Sequence, residues 1–225
     1  ERLREGDGGP RDFQRALALY DGACTRGHGP GCADQGLMYQ DGLGVGRDIE
    51  RAIDLYAQAC NGDGPRGCSR LASLYLTGTG VARDLERALA FAESGCKGSD
   101  GMGCVNLGLM HRNGDGVKRD PSIAARAFRK ACAVGEGRGC ALLGEMHAAG
   151  QGVEQNAHLA RMYNGKGCEL DDGRACGNIG VNYQLGVGVE TDPRKAAHYF
   201  KRACEQGEER FCRLLERFEA GAGEH

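Results

Sequence analysis

The sequence predicts an all-α fold, a solenoid of stacked helical hairpins, and three observations carry the prediction. Its twelve cysteines fall in two series, 24, 60, 96, 132, 168, 204 and 32, 68, 104, 140, 176, 212, each stepping by 36 residues. A fixed period of that length marks a repeat architecture in which each unit stacks on its neighbours. Apolar residues recur inside each period at helical spacing. The 39 glycines return in register with the cysteines, so they punctuate turns and do not signal low complexity.

Each period reads as two short helices. The first opens at Asp12, Asp48, Asp84, Asp120, Asn156 and Asp192, all residues whose side chains cap a helix N-terminus. Pro121 and Pro193 follow two of these caps, where the ring pre-organises the first turn. An alanine then recurs at 16, 52, 88, 124, 160 and 196, followed by large apolar residues such as Leu55 and Tyr56.

The second helix starts near the second cysteine and ends at Gly42, Gly78, Gly114, Gly150 or Gly186, where a C-cap favours glycine. A further glycine and a valine, as in Gly44 and Val45, turn the chain into the next unit. Gly36, Ala72, Gly108, Gly144 and Gly180 stand inside second helices, where glycine costs propensity and close helix approach is the expected return. One solenoid domain is expected over residues 1–225, in units 11–46, 47–82, 83–118, 119–154, 155–190 and 191–225. Residues 1–10 align with the end of a preceding unit, so the chain is expected to begin inside a longer protein. Glu216 stands where packing calls for glycine and Glu219 where Tyr or His stood, so residues 210–220 read as a capping helix with a polar outer face.

Composition excludes several functions. The net charge of −2 gives no general case for nucleic acid or an anionic membrane. No apolar run approaches the roughly 20 residues that span a bilayer.

The run Gly36-Leu37-Met38-Tyr39-Gln40-Asp41-Gly42-Leu43-Gly44-Val45-Gly46-Arg47-Asp48 resembles Sel1-like repeats, relatives of tetratricopeptide repeats. The cysteine pair in every unit is similar to the cysteine-rich Hcp-like branch of secreted bacterial Sel1-repeat proteins, and to a mitochondrial intermembrane-space assembly factor of similar build. The resemblance implies a right-handed α/α superhelix whose second helices line a concave face.

Seven residues separate the cysteines of a pair, room for one helix end, a link and the next helix start. Helices packed in such a hairpin place two Cβ atoms within the ~4 Å that a disulfide needs. The pairing is therefore expected within each unit: Cys24–Cys32, Cys60–Cys68, Cys96–Cys104, Cys132–Cys140, Cys168–Cys176 and Cys204–Cys212. Equivalent cysteines one repeat apart lie on helices separated by about 8–10 Å, too far for a shared tetrahedral zinc. Twelve cysteines in disulfides imply an oxidising compartment, so a secreted or periplasmic protein is expected, with the intermembrane space as the alternative.

Chemistry is sparse. His111 and His147 share a position that holds Tyr39, Tyr75 and Tyr183 elsewhere, so they read as packing residues. Some Hcp-like proteins carry a penicillin-binding or β-lactamase label, and Ser94-Gly95-Cys96-Lys97 fits Ser-x-x-Lys, but no Ser-Asp-Asn or Lys-Thr-Gly accompanies it. Glycine-rich turns such as Leu76–Gly80 lack the Gly-Lys-Ser/Thr ending of a phosphate loop. The reading is a non-enzymatic scaffold without cofactor, with a β-lactam- or peptidoglycan-acting enzyme, or a haem- or metal-carrying assembly factor, as alternatives.

A partner would sit on the second helices. The stripe two, five and nine residues after the second cysteine lies opposite the core face. It reads Asp34, Leu37, Asp41; Arg70, Ser73, Thr77; Asn106, Leu109, Asn113; Leu142, Glu145, Ala149; and Asn178, Val181, Leu185. Asn106 and Asn178 are expected to stand exposed and grip a peptide backbone, since a carboxamide both donates and accepts. Asp34, Arg70, Leu109, Asn113, Glu145 and Val181 complete the candidate peptide-binding set, on a chain expected to be a monomer that binds a protein or peptide and no nucleic acid.

Overall fold

A computed structural model describes residues 12–222, with side chains through Phe218. It contains twelve helices and no strand among those residues: α1 (Phe13–Thr25), α2 (Gly29–Asp41), α3 (Ile49–Asn61), α4 (Pro65–Thr77), α5 (Leu85–Lys97), α6 (Gly101–Asn113), α7 (Pro121–Ala133), α8 (Gly137–Ala149), α9 (Ala157–Glu169), α10 (Gly173–Leu185), α11 (Pro193–Glu205) and α12 (Glu209–Ala222). Residues 1–10 and the side chain of Glu219 lie outside what is described.

The caps form as the sequence predicts. Asp12, Asp48, Asp84, Asp120, Asn156 and Asp192 each accept a hydrogen bond from the backbone N–H three residues on, at 2.9–3.0 Å. Each second helix begins three residues before its cysteine, whereas the first cysteine of each pair is the next-to-last residue of its helix, so the bridge joins one helix end to the first turn of the next. The turn after α2 needs glycine twice, because Gly42 and Gly44 both have φ of 70°.

The chain packs as two compact units. The first runs to Met110 and takes in Asp115–Lys118; the second takes His111–Gly114 and everything from Arg119.

In the first unit, Ala52, Tyr56, Leu71 and Leu74 pack together, and Ala72, Ala88, Ala92 and Met110 form a second cluster. In the second unit, Ile179, Phe200 and Phe211 centre the core, and Phe200 stacks on Phe211 at 5.7 Å. The small residues inside second helices bring successive repeats together. A Cβ on Gly36 would meet the Tyr56 ring at 2.8 Å, and one on Gly180 would meet the Phe200 ring at 2.6 Å. Here the α3 and α11 aromatics seat against α2 and α10.

All six hairpins carry the predicted disulfide, with Cα–Cα distances of 4.3–4.8 Å. Each closes a nine-residue ring, worth about 2.5 kcal/mol by loop entropy. The terminal helix α12 keeps Glu216 exposed at the packing-glycine position.

Candidate functional site

The second helices of successive repeats touch along the predicted stripe, and the structure divides that stripe into two kinds of position. In the first unit it is largely spent on the fold. Asp34 pairs with Arg66 at 3.1 Å. Arg70 lies half-buried near Tyr56, whose hydroxyl donates to Gln40 at 2.8 Å. Burial pushes the Tyr56 phenol far above its ordinary value, and the positive charge of Arg70 only partly offsets this, so the ring stays neutral.

Asn106 corrects the expectation of an exposed peptide grip. It is only 7% exposed, and its Nδ2 donates to the Ser69 carbonyl at 3.3 Å and to Ser73 Oγ at 2.9 Å. The reason is the floor beneath it: Ala92 stands where α3 has Tyr56, so the side chain sinks inward to reach α4. Leu142 is a second correction, 1% exposed and part of the core. Leu109 is half-buried and Asn113 exposed.

The second unit is different. Glu145, Asn178 and Val181 line one groove of about 580 Å³ between α8, α9 and α10. Its remaining walls are Ala148, Gln155, Ala157, Ala160, Asn164, Asn182 and Val187. Asn164 forms its floor. This residue is 4% exposed and accepts a hydrogen bond from Asn178 Nδ2 at 3.4 Å. Its position holds Tyr56, Phe128 and Phe200 in other first helices, all fully buried. A carboxamide in place of a ring removes most of the volume that fills this space elsewhere, and the groove is what remains. Gly144 approaches from α8, where a Cβ would sit 2.8 Å from Asn164 Oδ1.

Four carboxamides, Gln155, Asn164, Asn178 and Asn182, therefore line the groove beside short alkyl walls. Glu145, at the rim, lies 3.8 Å from Arg112 and 3.5 Å from Arg174. Half-exposed ion pairs of this length exchange readily, because solvent screens them. Such a groove can hold an extended backbone, since each carboxamide offers a donor and an acceptor. The sequence reading found Asn178, Glu145 and Val181 but missed Asn164 and Asn182. The available signal was the loss of the aromatic at position 164.

The other sequence candidates serve packing. His147 is buried, stacks on Tyr163 at 5.6 Å and places Nδ1 3.2 Å from the Glu154 carbonyl. Tyr75 stacks on Phe91 and Tyr183 on Tyr199 in the same way. Ser94 donates its hydroxyl to the Ala90 carbonyl at 2.9 Å. Among the described residues no three His, Cys, Asp or Glu side chains converge to hold a metal, and no helix is long and apolar enough to cross a membrane.

Comparison with known proteins accounts for the repeat. The sequence profile described as Sel1 repeat matches residues 1–28, 31–63, 65–100, 101–136, 137–172 and 173–208. No curated protein matches the chain. Among solved structures it is similar to a Sel1 repeat protein from Oxalobacter formigenes, with 27% identity, coverage of 91% of this chain and 84% of that one, and a TM-score of 0.81. It is also similar to a protective antigen of uropathogenic Escherichia coli strains with an SLR fold, at 27% identity and a TM-score of 0.72. That alignment takes in 95% of this chain but 46% of the antigen, so the chain spans about half of that protein's length. The fold is shared with an immunity protein from Pseudomonas aeruginosa, at 18% identity over 97% of this chain and 81% of that one, with a TM-score of 0.60.

Proposed function

From the premise that this chain belongs to the Sel1 repeat family, we propose that it is an extracytoplasmic scaffold that binds a protein or peptide segment. The groove of the second unit is the grip. One observation carries the reading: a buried asparagine, Asn164, replaces a core aromatic and opens a polar-floored groove beneath Asn178. The carboxamide gives up core stability, because a buried Phe stabilises by about 1.5–3 kcal/mol through burial. The six disulfides support this compartment, since such bonds persist where the surroundings are oxidising.

A bound strand would lay its backbone across Asn178 and Asn182 and set one small side chain against Val181, Ala148 and Ala160. Glu145 would meet a donor on the ligand without first being desolvated, since its two arginine partners already hold it at the rim.

The test is Asn164→Phe, which restores the ring seen in other repeats. Disulfide-intact wild type is used to capture partners from extracytoplasmic extracts, with cross-linking, and the captured protein is titrated calorimetrically against wild type and variant. Asn164→Phe is expected to keep the thermal stability and weaken binding at least tenfold. Full binding by a folded Asn164→Phe protein overturns the groove as the site.

A further inference from the structure

The outward faces of the first helices carry opposite charge in the two halves of the chain, and we infer that this face docks a second copy of the protein. Within each first helix, the second, sixth and ninth residues share the outward side, since the fourth and eighth are turned into the core in most repeats.

In α3 and α5 those positions hold Glu50, Asp54, Glu86 and Glu93, with no cation. In α7 and α11 they hold Arg126, Arg129, Arg194 and Lys201, with no acid. All eight side chains belong to exposed residues, and none is in an ion pair among the described residues. Between α7 and α11, helix α9 shows His158, Met162 and Gly165 at the same positions, so no acid interrupts the basic face.

The neighbouring third position holds Arg51 and Arg87 in the acidic half, and Arg87 folds back onto Asp84 and the Tyr75 hydroxyl. Counted over whole first helices, the first three carry four Lys/Arg against five Asp/Glu, and the last three carry nine against two. The reversal therefore survives the flanking residues, with its stronger pole on the basic side.

Surface charge left unpaired among the described residues, with the opposite sign presented on the same helix positions elsewhere in the chain, is self-complementary. The acidic face of one molecule meets the basic face of the next. Complementary potentials of this kind steer encounter and fix which surfaces meet. Individual exposed pairs contribute little, so the association draws on several at once and weakens with salt. The contact is heterologous, pairing two different patches, and can join more than two molecules. It replaces the expectation of a monomer and leaves the second-helix groove open.

Sedimentation velocity of the disulfide-intact chain tests this in about 0.01 M salt, where the Debye length is about 30 Å, and in about 1 M, where it is about 3 Å. Wild type is expected to associate in low salt and to run as a monomer in high salt. Asp54→Arg with Glu93→Arg, or Arg129→Glu with Lys201→Glu, should each abolish self-association, while an equimolar mixture of the two variants regains it. The chain carrying all four reversals should self-associate like wild type. Melting curves confirm that the variants fold, and the recovery in the mixture could not arise from misfolding. A wild type that stays monomeric at low salt overturns the inference, as does a mixture that fails to associate.

Discussion

Asn106 and Asn178 occupy the same repeat position, two units apart, and the structure gives them different work. Asn106 is buried in the first unit, bonded to Ser69 and Ser73 on the preceding second helix. Asn178 is half-buried in the second unit, above a groove, with a long bond to Asn164. The letter is the same; the neighbours differ. One repeat before Asn106 stand two serines that can accept its donors, over an alanine floor. One repeat before Asn178 the matching residues are Ala141 and Glu145, over an asparagine floor. A position in a repeat therefore acquires its role from the preceding second helix and from the first helix between them.

The comparison breaks most sharply at the floor. Phe200→Ala removes a fully buried ring from the second unit's core and should cost about 3–5 kcal/mol. Asn164→Ala, at the equivalent position one repeat earlier, should cost about 1 kcal/mol, because only one long hydrogen bond is lost. Denaturant titration of the two variants measures both. Similar losses would mean that the groove is part of the packed core.

The disulfides give the next largest effect. Replacing both Cys132 and Cys140 with alanine should cost about 2.5 kcal/mol, the value of a nine-residue loop. Exposure also sorts the six bridges. Both sulfur-bearing residues of Cys132–Cys140 and Cys168–Cys176 are buried, whereas Cys204 and Cys212 are half-buried. Under limiting reductant with alkylation and mass spectrometry, Cys204–Cys212 should open first. Earlier opening of Cys132–Cys140 would show that burial does not control access.

Helix caps supply a smaller, pH-dependent effect. Hydrogen bonds from the Ile123 and Ser122 N–H groups hold the Asp120 carboxyl below its ordinary range, and that from Lys195 N–H does the same for Asp192. A carboxyl depressed in the folded state stabilises the fold above its unfolded value, and that contribution fades as pH falls through its folded value. Acid therefore weakens both caps. Asp120→Asn keeps an acceptor, as Asn156 does naturally, and cannot titrate there. Its stability should fall less than that of wild type between neutral pH and pH about 3, in the region where carboxyls titrate. Parallel acid profiles would remove Asp120 from the account.

Much of this was readable from the residues. The 36-residue period, the Asp and Asn caps and the cysteine spacing are local or strictly repeated, so they project directly onto helices and hairpin bridges. The binding stripe was readable only in part. Helical spacing places Asn106 and Asn178 on one side of their helices, but burial depends on residues 14–37 positions away, such as Ser69 and Asn164. Leu142 is likewise buried, and the spacing along its own helix does not show this. Glu145 and Val181 fall in the groove because α9 lacks its aromatic, a feature visible only when the first helices are compared with one another.

The central claim is that identical asparagines are divided between fold and function, and paired denaturant titrations of Asn106→Ala and Asn178→Ala test it most directly. Asn106→Ala removes a buried side chain with two bonded partners and should cost about 1–3 kcal/mol. Asn178→Ala should cost no more than about 1 kcal/mol, since it loses only the long bond to Asn164 that Asn164→Ala also loses. Equal losses, or a larger loss at Asn178, would contradict the account.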